Sequence, residues 1–274
     1  MLNRISYFCE HFAEFKDSFV LIGGSACTVW YAHHRHPFRA TEDLDVVLII
    51  EQLDDRFEEA FFDFIRESNY QIRERIPIDS GGVAKRILYR FSQPESDLVP
   101  EQIELLSRKP STIQLRDDQR IVPVKRGDVG EYTGLSCILL DDQYYHLVTE
   151  HIYKGDQIPR VSLGALILLK IKAYLNLNES YRSGEEHGSD QSLHNARKHR
   201  NDVFFILMDV DSGSDGFEVP LSVREDIRRF IQMMRETPSE WSGVVDHLRR
   251  MRGKLEVRSL TLDDFIDILQ GMFL

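Results

Sequence analysis

Residues 19–25 read Phe19-Val20-Leu21-Ile22-Gly23-Gly24-Ser25, and residues 39–45 read Arg39-Ala40-Thr41-Glu42-Asp43-Leu44-Asp45. The first stretch is a short apolar run broken by two glycines, which predicts a strand meeting a tight turn. Ser25 is a good N-cap, and Ala26 to His34 reads as a helix behind it. The second stretch is polar and runs into an apolar strand over Leu44 to Ile50. Working outward, Ile5, Phe8, Cys9, Phe12 and Phe15 recur at helical spacing over residues 5–16. Asp54 to Ser68 reads as a helix with Phe57, Ala60, Phe61, Phe64 and Ile65 on one face. Strands are predicted at Lys85 to Phe91, Gln102 to Leu106 and Tyr144 to Val148. This order of strands and helices predicts a small mixed sheet backed by helices.

The texture changes near Val161. Leu163 to Leu177, Leu193 to Met208, Leu221 to Arg235 and Thr261 to Met272 read as helices, with little strand signal between them. Glu179 to Gln191 is rich in Ser, Gly, Glu and His, lacks apolar periodicity and reads as a loop between two helices. The expected architecture is therefore α+β. A sheet-containing domain spans residues 1–158 and an all-helical domain spans 159–274, with the functional cleft expected between them.

The chain of 274 residues carries a net charge of -11. A field of that sign repels nucleic acid and anionic membrane, so any nucleic-acid partner needs a local basic patch. Three widely spaced cysteines, Cys9, Cys27 and Cys137, form no CxxC pair and indicate neither a disulfide framework nor a zinc site. A reducing compartment fits that usage. The N-terminal residues show no signal-peptide pattern. Leu163 to Leu177 is interrupted by Lys170 and Lys172 and is too short to span a bilayer. A cytoplasmic location without membrane attachment is expected.

Asp43 and Asp45 flank Leu44 at a strand start, so alternation puts both carboxylates on one face while Leu44 turns to the core. Two carboxylates held that close repel each other, and a bound cation offsets the repulsion. Hard divalent cations such as magnesium or manganese take carboxylate oxygens and keep substrate phosphates in their shell. Transfer of a nucleoside monophosphate from a triphosphate uses such cations in pairs, roughly 3.5–4 Å apart, to stabilise attacking and leaving oxygens. A third acid is wanted from a neighbouring strand. Glu104, between Ile103 and Leu105, is the best placed, with Glu101 nearby. Gly23 and Gly24 let backbone approach a phosphate closely, and Ser25 with the helix start supplies donors.

The order strand, Gly-Gly-Ser, helix, Asp-x-Asp, strand-borne acid resembles the DNA polymerase beta-like nucleotidyltransferase superfamily. Arg39-x-Thr41-x-Asp43-x-Asp45 is similar to its AbiEii/AbiGii toxin-type branch. Leu168-Leu169-Lys170-Ile171-Lys172-Ala173 resembles the lysine-bearing helix of that branch, and Lys198-His199-Arg200-Asn201-Asp202-Val203 resembles its following Lys-to-Asp motif. The resemblance runs in short islands from about residue 19 to 208. It implies metal binding by Asp43, Asp45 and Glu104, phosphate contact by Gly23, Gly24 and Ser25 with Arg39 and Thr41 beside them, and nucleotide contact by Lys170 and Lys198, with Lys172 as the alternative to Lys170. Asp202 would orient the lysine or assist the acceptor. The polar insertion between the two helical motifs departs from the pattern. The implied setting is a toxin-antitoxin or phage-defence toxin that modifies RNA, such as tRNA, or protein, and has an antitoxin partner. Two alternatives stand beside it: a nucleotidyltransferase acting on a small molecule, as in aminoglycoside-modifying relatives, and a nucleotide-binding module without turnover.

Other features have plainer readings. His33-His34-x-His36 lacks companion ligands and reads as a solvated helix end. Lys170 and Lys172 read equally as snorkelling side chains of an amphipathic helix. If Lys170 contacts nucleotide, Lys170→Ala should weaken triphosphate binding and leave the fold intact. Arg249 to Arg258 reads as a solvated helix face. For an RNA acceptor, the basic residues available are Arg182, Arg197, Lys198, Arg200, Arg249, Arg250, Arg252 and Lys254.

Overall fold

The computed structural model describes residues 1–72, 89–108, 121–125, 132–153, 155–183, 190–257 and 260–274. Most of the strand predicted at Lys85 to Phe91, the middle of the loop Glu179 to Gln191, and Arg258 lie outside the described residues. The chain divides into two compact units, residues 1–33 with 38–161, and residues 34–37 with 162–274. The architecture is α+β, with a mixed sheet in the first unit and helices in the second.

In the first unit, α1 (Leu2–His11) and a short 3-10 turn (Ala13–Phe15) lead into β1 (Phe19–Leu21). There follow α2 (Gly23–Trp30), β2 (Asp43–Leu48) and α3 (Asp55–Glu67). The Asp54 carboxylate caps α3 by accepting from the Phe57 N–H at 2.8 Å, as a helix start after an acidic residue requires. The remaining strands are β3 (Gln71–Ile72), β4 (Arg90–Ser92), β5 (Gln102–Arg108), β6 (Ile121–Lys125) and β7 (Tyr132–Leu140), then β8 (Ile152–Tyr153) and β9 (Arg160–Val161) after the helix α4 (Asp142–Glu150). Their order is β3-β4-β5-β2-β1-β9-β8, with β7 also beside β5 and β6 beside β7. The central pair β2 and β5 is parallel, while β1 runs antiparallel to β2 and β4 antiparallel to β5.

Strand alternation sorts the two faces of this sheet. Leu44, Val46 and Leu48 of β2, Ile103 and Leu105 of β5 and Phe91 of β4 are buried together on one face. Phe91 meets Phe61 of α3 at 5.2 Å between ring centroids, and Phe12, just past α1, lies 5.4–6.0 Å from Phe57, Phe61 and Phe64. This aromatic layer is the core of the unit. Asp43, Asp45, Gln102, Glu104 and Arg90 occupy the opposite face.

One predicted element is wrong in kind. Residues 144–148, read as a strand, belong to α4. The Asp141 side chain accepts from the Gln143 N–H at 2.9 Å and starts the helix, whose buried Tyr144, Tyr145, Leu147 and Val148 follow helical rather than alternating spacing. β-branched and aromatic content alone misread the segment; the acidic cap upstream decides it.

The second unit contains α5 (Leu163–Ser183), α6 (Asp190–Leu207), α7 (Leu221–Glu236), α8 (Pro238–Arg252) and α9 (Leu262–Phe273). Its core gathers Tyr174, Phe204, Phe230, Trp241 and Phe265. The sequence reading placed a helix face only at Arg249 to Arg258 and so missed most of α8, although Pro238 stands at its first turn, where a missing N–H is harmless. Thr261 and Asp264 form a reciprocal capping box that opens α9. Among the described residues no helix is long and apolar enough to cross a membrane.

Candidate functional site

The site is built where the end of β1 turns into α2 beside the start of β2. Gly23 has φ +64, a left-handed conformation that glycine adopts without penalty. A Cβ on Gly23 would collide with the Asp45 carboxylate, and one on Gly24 would lie 2.8 Å from Thr41 Oγ1. The two glycines therefore seat the Asp45 and Thr41 side chains directly against the start of α2. The Ile22 N–H donates to the Asp45 carbonyl at 3.1 Å and fixes the turn to the strand. The first N–H groups of a helix lack intrahelical partners and carry its positive dipole end, so this corner favours negative charge.

Ser25 is not the N-cap that the sequence suggested. The helix starts earlier, at Gly23, with Ile22 in the capping position. Ser25 is fully buried inside the first turn, and its hydroxyl donates to the Ile22 carbonyl at 2.9 Å. The side chain braces the turn; what it presents to a ligand is confined to its backbone. Arg39 and Thr41 are half-buried ahead of β2, with the Arg39 guanidinium 5.3 Å from the Phe38 ring.

The acids of the sheet fall in register. Asp45 pairs with Glu104 across β2 and β5, and Glu104 pairs with Arg90 across β5 and β4. Asp43 pairs with Gln102 one step along the same face. Asp43 is exposed and Asp45 half-buried, whereas the Glu104 side chain is only 17% exposed. Glu104 Oε1 forms an ion pair with Arg90 Nη2 at 2.6 Å and accepts a hydrogen bond from Gln102 Nε2 at 2.9 Å. Among the described residues no group of three His, Cys, Asp or Glu side chains is arranged to hold a metal ion. The expected set of Asp43, Asp45 and Glu104 thus shares one face without forming a closed three-acid group, and its third member is paired with Arg90. Asp43 and Asp45 suit a hard divalent cation by donor chemistry, two carboxylates two residues apart on one strand face. Arg90 was not singled out in the sequence; only the antiparallel register of β4 brings it to the site.

In the helical unit, Lys170 of α5 and Asp202 of α6 form an ion pair at 2.8 Å, with side chains 2% and 1% exposed. The polar insertion between their motifs does not prevent the pairing. The depth of this pair weighs against the expectation that Lys170→Ala leaves the fold intact, because removing one partner of a buried ion pair is strongly destabilising. Lys172 pairs with Asp226 at 2.8 Å. Lys198 is half-buried on α6. Two arginines proposed for an RNA surface are interior. Arg200 is buried against Glu240, and burial pushes its pKa down to about 10. Arg252 is buried, donates to Asp209 Oδ1 at 2.9 Å and lies 4.0 Å from the Phe205 ring. The reading of Arg249 to Arg258 as a solvated face fails at Arg252, where the helix turns its guanidinium inward. His33 and His34 are exposed beyond the end of α2, and His36 meets Glu256 at 2.9 Å.

No family model, curated protein or solved structure matches this chain.

Proposed function

We propose that the chain is a nucleotidyltransferase of the DNA polymerase beta-like kind, moving a nucleoside monophosphate from a triphosphate to an acceptor. The observation that carries this reading is the fit of Gly23 and Gly24 against Asp45 and Thr41, which sets a glycine turn and helix start beside an Asp-x-Asp pair. The amides at the start of α2 would receive phosphate oxygens. Asp43 and Asp45 would hold a divalent cation, which when bound neutralises charge on the triphosphate. The sheet fixes both aspartates, so the chain's own contribution is placement and electrostatics rather than covalent chemistry. RNA or protein as acceptor, and a toxin role with an antitoxin, follow from the resemblance of the motifs.

The Glu104–Arg90 ion pair favours a second reading, a nucleotide-binding module without turnover. One experiment separates them. Purified protein is incubated with each α-labelled triphosphate, magnesium or manganese, and total RNA or cell lysate. The transferase reading expects label in one macromolecular fraction and none with Asp45→Asn. Labelled nucleotide bound but never transferred, in any fraction, would leave the binding module.

A further inference from the structure

We infer that Arg90 is a working residue of this site: it neutralises Glu104 while no cation is present and passes to a phosphate of the substrate once a cation claims Glu104. The inference rests on the reading of Asp43 and Asp45 as cation ligands.

Asp45, Glu104 and Arg90 form one row across three strands, two acids followed by a base. Neighbouring carboxylates in register repel each other, and a cation on the third strand offsets that repulsion. A divalent ion between the acids would do the same with more charge, so ion and guanidinium compete for Glu104. Arg90 is a poorly fixed competitor. Its ion pair with Glu104 runs from Nη2 to an oxygen already shared with Gln102. Its Nε is buried without a hydrogen-bond partner. A guanidinium binds carboxylate or phosphate best with two parallel N–H donors, and here one edge of the fork is unused. The side chain is 28% exposed, on the same face as the acids, so its head can leave Glu104 without unpacking the core. A triphosphate arriving with its cation brings oxygens that match the fork.

The test uses the whole protein and two probes, manganese followed by electron paramagnetic resonance and inorganic tripolyphosphate followed by calorimetry. Arg90→Gln should tighten manganese binding by about threefold, the contribution of a partly exposed ion pair. That gain should vanish in a Glu104→Gln background. With manganese saturating, Arg90→Gln should weaken tripolyphosphate binding by about tenfold, as loss of a charged hydrogen bond does. Glu104→Gln, which removes the counter-ion of Arg90 and spares the arginine, should bind tripolyphosphate more tightly than wild type without metal; this arm holds if Arg90→Gln does not fold. Equal tightening in both backgrounds, unchanged tripolyphosphate affinity, or no gain in Glu104→Gln would each overturn the exchange. Manganese binding that survives Asp45→Asn would instead overturn the cation reading beneath it.

Discussion

Gly23 takes φ +64 and leaves no space for a side chain beside Asp45. Gly23→Ala therefore meets two obstacles, a left-handed backbone and a collision with the carboxylate. The backbone strain alone costs about 1–2 kcal/mol. The collision adds displacement of Asp45 from the turn. A folded Gly23→Ala protein should lose cation and triphosphate binding more than stability, read by calorimetry beside urea unfolding. Gly24→Ala presses instead on Thr41, 2.8 Å from the added methyl, and should spare Asp45. Equal binding loss in both variants would mean that general distortion, not the seat of Asp45, is responsible.

Between elements, the fold is pinned by ion pairs of different depth. Lys170 and Asp202 join α5 and α6 with almost no exposure. Removing one partner of such a pair typically costs about 3–5 kcal/mol, whereas replacing both with apolar groups can be neutral. Lys170→Met should lower stability by that amount, and Lys170→Met with Asp202→Leu should recover most of it in a urea double-mutant cycle. Additive losses would show that the two side chains do not act as a pair. A shallower brace joins the end of β2 to α4 and β5. Glu51 accepts from the Tyr145 hydroxyl at 2.6 Å and from Arg108 at 2.8 and 3.0 Å. Burial alone would raise the Glu51 pKa, but these hydrogen bonds outweigh it and hold the carboxyl below its ordinary value of 4.5. A depressed acid adds stability that is present above its unfolded value and lost as pH falls through the folded one. The wild-type urea midpoint should therefore decline as pH drops below that ordinary value, and Glu51→Gln should decline less steeply. Parallel curves for the two proteins would remove Glu51 from the acid response.

For the whole molecule, charge limits the acceptor. The net charge is -11, and Arg200 and Arg252 are spent on Glu240 and Asp209 inside the helical unit. Arg182, Arg250 and Lys254 remain exposed, as do Arg197 and Arg249, which face Glu240 and Asp246 at 3.6 and 4.0 Å. With the five exposed residues and Lys198 each neutralising one phosphate at about 0.7, the logarithmic salt slope for single-stranded RNA should be no steeper than about -4. Binding across a salt series checks this, with Arg197→Glu and Lys198→Glu together as the charge-reversed control. A steeper slope would require a basic surface beyond these residues, and a flat one unaffected by the reversal would exclude RNA as the acceptor.

The sequence by itself determined the local devices. Apolar runs ending in Gly23-Gly24 placed β1 and its turn, Asp54 placed the start of α3, and alternation put Asp43 and Asp45 on one face. Each depends on neighbours within a few residues, where backbone preference and capping act directly. It misread 144–148, where aromatic content outweighed the cap at Asp141, and it caught only the C-terminal end of α8. Tertiary structure alone decided what meets across the chain. Strand register set Asp45 beside Glu104 and Glu104 beside Arg90, and helix packing turned Lys170, Arg200 and Arg252 inward. A charged residue is compatible with solvent, a ligand or a buried partner, and its spacing is the same in all three. Only the element that packs against it, brought from far along the chain, selects between them.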